Sequence, residues 1–200
     1  MNNTVLKEAL IVLCTATTIT FGAISAIADD FFGDDDMKNA DYIIESIKTS
    51  KTTLAGLVVK AEAETKGIAL EIEIEDEDGV QYVEIDILRG KEIVQVKASL
   101  KTGEILNISQ PKFMPTLIEN ICSNYDSIKQ NTLGMENAIK QAELKTCSTA
   151  YKAELENIDG LLCYQVHLFT PQRTITVMLD PKSGRLLSQR HMKHTDNDDR

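Results

Sequence analysis

Two stretches of the chain alternate apolar and polar residues with the two-residue period of a strand that buries one face. In the first, Ile68, Leu70, Ile72 and Ile74 alternate with Ala69, Glu71, Glu73 and Glu75. An Asp78-Gly79 pair follows, which favours a two-residue hairpin turn because both positions need positive φ. That turn sets Ile74 opposite Val83, Ile72 opposite Ile85 and Leu70 opposite Ile87. A second turn at Gly90-Lys91 sets Ile87 opposite Val94, Ile85 opposite Val96 and Val83 opposite Ala98, so one apolar face runs across three strands. Ahead of the strands, Leu54, Leu57, Val58 and Ala61 recur at helical spacing within residues 53–66, and Gly67 is placed to end that helix.

The second stretch matches the first without a gap at an offset of 81 positions, as in Asp78-Gly79 against Asp159-Gly160. Thr102-Gly103 falls on Ser183-Gly184, Lys101 on Lys182, Leu106 on Leu187, and Ala61-Glu62 on Ala142-Glu143. Ala69, Glu73 and Glu75 meet Ala150, Glu154 and Glu156, while Ile85, Ile87, Val94 and Val96 meet Val166, Leu168, Ile175 and Val177. The second helix carries Met135, Ala138, Ile139 and Ala142. The Asp159-Gly160 turn pairs Leu155 with Tyr164, Ala153 with Val166 and Tyr151 with Leu168. Pro171 stands near the position of Gly90, and proline cannot take positive φ, so the second hairpin needs a different or wider turn.

Another amphipathic helix precedes each unit, with Ala40, Ile43, Ile44 and Ile47 in one and Leu117, Ile118, Ile121, Cys122, Tyr125 and Ile128 in the other. Pro111 and Pro115 stop both strand and helix and mark the boundary between units. The expected fold class is α+β: two tandem modules, residues 37–108 and 115–189, each a helix packed on a three- or four-stranded antiparallel meander. Residues 190–200 read as a mobile polar tail.

A short helix, an Asp-Gly hairpin, and strands that end in lysine, a small polar residue and glycine before an aliphatic pair resemble the PepSY family. Those endings are Lys101-Thr102-Gly103-Glu104-Ile105-Leu106 and Lys182-Ser183-Gly184-Arg185-Leu186-Leu187. The resemblance covers about residues 52–108 and 133–189. It implies a cystatin-like curl of sheet around a helix in each module, in exported proteins, some of them propeptides of secreted metallopeptidases or restrainers of peptidases.

The first residues change the picture of where the chain works. Leu10 to Ala28 is apolar and nearly uncharged and ends in Ala26-Ile27-Ala28, a small-x-small motif. Residues 1–28 are therefore expected to be a signal peptide cut after Ala28, leaving no stable membrane span and placing the product in the periplasm or outside the cell. The competing reading is an anchor, weakened by Thr15, Thr17, Thr18 and Thr20 in the run. The whole net charge of −10 stays on the remainder, because Lys7 and Glu8 cancel, and this excludes nucleic acid as an expected partner. Cys122, Cys147 and Cys163 would remain, an odd set that allows at most one internal disulfide of unspecified pairing.

The candidate chemistry is mostly acidic. The first hairpin places Glu73 opposite Glu84 and Glu71 opposite Asp86, with Glu75 at the same edge, although like charges directly opposed destabilise a sheet. Lys97 lies across from Glu84 and relieves one of them, and the second module carries Lys152, Gln165, His167, Thr174 and Thr176 on the equivalent face. Glu71, Glu73, Glu75, Glu84 and Asp86 are thus the candidate binding residues for a basic partner or a divalent cation. The plainer alternative is a solvated face whose charges block edge pairing.

Asp29, Asp30 and Asp34-Asp35-Asp36 lack the glycine and glutamate spacing of a calcium loop, and His191 and His194 alone make a poor metal site. No metalloprotease, serine-hydrolase, dithiol or phosphate-loop motif is present, so neither catalysis nor a cofactor is expected. The functional expectation is an exported regulatory protein that docks another exported protein and restrains a peptidase. The alternative is an envelope sensor that takes a ligand or cation on the acidic face of the first module.

Overall fold

A computed structural model describes residues 40–77, 80–109, 125–158 and 160–193. The chain divides into two compact units, Met1–Lys38 and Asn39–Arg200, and all described residues lie in the second. The elements are α1 (Ala40–Thr49), α2 (Leu54–Thr65), β1 (Ile68–Glu77), β2 (Val80–Arg89), β3 (Glu92–Ala98), β4 (Ile105–Ile108), α3 (Tyr125–Asn131), α4 (Met135–Thr146), β5 (Thr149–Ile158), β6 (Leu161–Thr170), β7 (Arg173–Leu179) and β8 (Leu186–Lys193). Among the described residues, no helix is long and apolar enough to cross a membrane. The signal-peptide stretch, most of the helix expected at Leu117–Ile128 and the Pro111–Pro115 boundary lie outside the described residues.

The strands form one antiparallel sheet in the order β4-β3-β2-β1-β5-β6-β7-β8. This overturns the expectation of two helix-plus-meander modules. The free side of β1 does not remain an edge, because it pairs with β5 and fuses the two meanders into a single, mostly sheet structure. Helices α2 and α4 pack on the sheet and on each other, and one hydrophobic cluster takes in Leu57, Val58, Ile72 and Ile85 together with Met135, Ile139, Val166 and Leu168. The apolar residues of the two halves run together into one core.

The hairpin registers follow the alternation. Ile74 pairs with Val83, Ile72 with Ile85, Ile85 with Val96 and Val166 with Val177. Two pairs depart from it. Ala69, not Leu70, meets Ile87, and Ala150, not Tyr151, meets Leu168, because each first strand carries one extra residue there. Such a bulge turns successive side chains toward the same side, and Ala69 and Leu70 are both buried.

The entry into each meander is built the same way. Thr65 Oγ1 donates to the Ala61 carbonyl at 2.7 Å, and Thr146 Oγ1 to that of Ala142 at 2.8 Å. Glu62 Oε1 accepts from the Ala69 N–H at 2.9 Å and Glu143 Oε1 from the Ala150 N–H at 3.1 Å, so a helix carboxylate holds the first strand in place. The residues that take the left-handed conformation after α2 and α4 are Lys66 (φ 61°) and Cys147 (φ 52°). Gly67, expected to end the helix, instead gives room for a close approach, since a Cβ there would lie 2.2 Å from Ile87 Cγ2 and 2.7 Å from the Leu88 carbonyl oxygen.

Pro171 is accommodated without widening the turn, since Thr170 pairs directly with Arg173. Thr170 Oγ1 accepts from the N–H groups of Gln172 and Arg173 at 3.3 and 3.2 Å, which closes a turn that needs no positive φ. β8 runs to Lys193, so the sheet continues past residue 190, where the polar tail was expected to begin. Pairing of Arg190 with Thr176 and His191 with Ile175 orders those residues despite their polarity.

A shared core predicts a single cooperative thermal transition, with calorimetric and van't Hoff enthalpies equal; two resolved transitions would show that the halves fold apart. Ile85→Ala should lower stability by about 2–5 kcal/mol in denaturant titration. Gly67→Ala should also be strongly destabilising, because the added methyl meets backbone as well as side chain.

Candidate functional site

The seam between β1 and β5 lies at the centre of the sheet. Its register is Glu71 to Glu154, Ile72 to Ala153 and Glu73 to Lys152. Ile72 and Ala153 occupy corresponding positions of the two halves, so the strands meet about a local two-fold axis, like the self-complementary interface of a dimer. Side chains alternate across a strand. Ile72 and Ala153 therefore enter the core, while Glu71, Glu73, Lys152 and Glu154 gather on the opposite face.

Lys152 is the centre of this polar group. Its Nζ lies 3.1 Å from Glu71 Oε1 and 3.0 Å from Glu73 Oε2, with its side chain 22% exposed. Burial opposes its charge, but Glu154, Glu71 and Glu73 outweigh that and hold the ammonium well above the ordinary lysine range. Gln165 Nε2 donates to Glu154 Oε1 at 3.1 Å, and His167 Nε2 lies 3.7 Å from the same oxygen. Burial works against Glu154 too, yet His167, Lys152 and Gln165 together bring its carboxyl below the ordinary range. His167 Nδ1 is 3.4 Å from Thr176 Oγ1, and its ring lies 5.9 Å from that of Tyr151.

Other carboxylates on this face go the other way. Burial raises Glu71, with Lys152 partly compensating, and burial together with Glu73 raises Glu75. Glu156 is pushed up to about 7 by burial and by the Glu154 charge. Cys163, directly opposite Glu156, is pushed up to about 12 by burial and the same two carboxylates, which leaves a thiol and no thiolate nucleophile. Cys147 and Cys163 are both free.

The five acidic candidates from the sequence divide into two groups. Glu71 and Glu73 face Asp86 and Glu84 across β1–β2 as expected, but Lys152 ties them into the seam. Glu75 lies opposite Tyr82. Gln95 Nε2 donates to Glu84 Oε1, and Lys97, which pairs with Glu84 in register, sets its Nζ 4.1 Å above the Tyr82 ring. The glutamates do not shield an edge, because β1 is an interior strand. Reading each half alone missed the role of Lys152, whose signal in the sequence was a lysine standing where the first half has Glu71.

Among the described residues, no group of three His, Cys, Asp or Glu side chains is placed to hold a metal ion. Asp29, Asp30, Asp34–Asp36, His194 and Cys122 lie outside the described residues. A groove of about 430 Å³ between the halves is lined by Ile47, Leu54, Leu100, Cys147, Phe169 and Pro171 among others. The carboxylate in its lining, Glu143, is already bonded to the Ala150 N–H.

These features define an open antiparallel sheet with helices on one side and a bonded polar network on the other. No family model and no curated protein match the chain, so the PepSY resemblance rests on the sequence motifs alone. A crystal structure of a candidate lipoprotein from Clostridium difficile is similar over 72% of this chain and 95% of that one, at 11% identity and a TM-score of 0.43. A likeness at that level carries no argument about function.

Lys152→Gln should destabilise the chain by about 2–4 kcal/mol, because it leaves three carboxylates close together without a counter-charge. Glu71→Lys should raise the melting temperature by placing opposite charges at both polar positions of the seam; a fall would refute the account of its electrostatics. Glu156 adds a pH dependence. Its folded pKa of about 7 exceeds the ordinary glutamate value of 4.5, so between those values the folded state keeps a proton that the unfolded state has lost, and stability falls as pH rises through that window. Glu156→Gln should lessen the drop in melting temperature between mildly acidic and mildly basic pH.

Proposed function

We propose that the chain is an exported, non-catalytic binding protein that docks an extended segment of a partner along an open edge of its sheet, and that it restrains a secreted or periplasmic peptidase in this way. The observation that carries the reading is β8, which pairs with β7 along its eight-residue length while, among the described residues, no strand lies on its other side. A strand in that position offers backbone N–H and C=O groups to an added strand.

Other features favour docking over chemistry. On the sheet Lys152 bonds to Glu71 and Glu73 and Gln165 to Glu154, and the buried Cys163 thiol is held protonated. Lys152 already pairs with both Glu71 and Glu73, which weakens the case for a cation sensor on that face. Export is supported by the Leu10–Ala28 run and its Ala26-Ile27-Ala28 ending, and a peptidase partner by the PepSY-like motifs.

The test is to expose the tagged chain, starting at Asp29, to the envelope and culture fractions of its own cells. A peptidase should be retained in stoichiometric amount, and its hydrolysis of a protein substrate should fall as the chain is titrated in. Recovery of no peptidase, or of one whose activity is unchanged by saturating chain, would overturn the proposal.

A further inference from the structure

We infer that the groove between the halves is a site for a small aliphatic carboxylate, a ligand separate from any strand taken up at β8. The groove has a volume of about 430 Å³, within the usual range of small-molecule sites. Ile47, Leu54, Leu100, Phe169 and Pro171 give it an apolar lining drawn from both halves. Water held against such a lining is released when an apolar ligand takes its place.

The repeat shows how the groove arises. Leu133 and Thr52 are corresponding residues, and each lies against the corresponding glycine of its half. Leu133 Cδ2 is 3.4 Å from where a Cβ on Gly184 would lie, and Thr52 Cβ is 3.2 Å from where one on Gly103 would lie. Yet Leu133 packs against the core, whereas Thr52 lines the groove. Ile68 is buried at the start of β1; its counterpart at the start of β5 is Thr149, which is exposed and lines the groove. Gly67 lets β2 approach so closely that a methyl group would clash, and the second half has Ser148 in its place, again in the lining. At three corresponding positions, then, hydroxyls stand on the open side of the two-fold axis where apolar or close-packed residues stand on the other.

The polar groups select the ligand. Among the described residues, the Thr52 and Thr149 hydroxyls make no hydrogen bond, and Lys48, the cation of the lining, makes no ion pair. The carboxylate of the lining, Glu143, is already held by the Ala150 N–H. A ligand carboxylate therefore meets an ammonium and two hydroxyls able to donate, while its chain lies on the apolar lining. A cationic ligand would meet only the occupied Glu143.

Cys147, exposed and in the lining, reports occupancy. Octanoate, octanol or octylamine is added to the whole chain, and the rate at which a maleimide modifies Cys147 is followed by peptide mass spectrometry. Octanoate should slow the reaction at a concentration roughly tenfold lower than octanol needs, and octylamine should protect least. Lys48→Gln should bring octanoate to the level of octanol. Thr52→Leu with Thr149→Ile, which puts the residues of the other half into the groove, should remove protection by both at an unchanged or higher melting temperature. Equal protection by the three compounds, protection by none, or protection that survives the double substitution would overturn the site. So would protection that grows with chain concentration and needs no additive, since a second copy of the chain would then occupy the groove.

Discussion

The pairing of β1 with β5 is the contact on which the rest of the molecule depends. Without it each meander would present a strand edge at Glu71–Glu73 or Lys152–Glu154 and would have to close its core over one helix. With it, Ile72 and Ala153 meet at the centre of one sheet, α2 and α4 share a core, and the edges left among the described residues are β4 and β8. Small cores stabilise poorly because little apolar surface leaves water, so joining two halves gains burial that neither has alone.

The same contact sets the electrostatics. Cross-strand neighbours lie about 5 Å apart, so the alternation that sends Ile72 into the core also brings Glu71, Glu73 and Glu154 together. An ammonium group among them is then held charged, and its neighbours respond by their place around it: Glu154 falls below the ordinary carboxylate range while Glu156, one step further along the strand face, rises above it. What resembled an acidic docking surface in the first hairpin is partly the counter-charge for a lysine supplied by the second.

The local structure was legible because turns and alternation constrain one another. An Asp-Gly or Gly-Lys turn fixes which residues face each other, and the apolar residues then either match or do not; Ile72 against Ile85 and Val83 against Ala98 match. The bulges at Leu70 and Tyr151 escaped because every second residue in those strands is apolar whether or not one extra is inserted. Gly67 was misread because a glycine after a helix ordinarily supplies positive φ, and nothing local announces that Ile87 will press against it. The β1–β5 seam was invisible for a stronger reason. No turn connects those strands, so no spacing in the chain encodes their register. The acidic candidates were found in position but misjudged in role, since their partner Lys152 lies across that seam. The length of β8 was likewise concealed by a polar composition that reads as a tail.

The two-fold relation at the seam has a consequence for how its charges can change. In a dimer of identical chains every substitution is made twice, so two copies of the first half would set Glu71 against Glu73 at both ends and collect four carboxylates with no cation. Two copies of the second half would set Lys152 against Glu154 and be balanced. Because both halves belong to one polypeptide, a single codon at position 152 can alter one side of the axis and leave the other as it was, so a cation supplied once, by the second half, serves carboxylates from both.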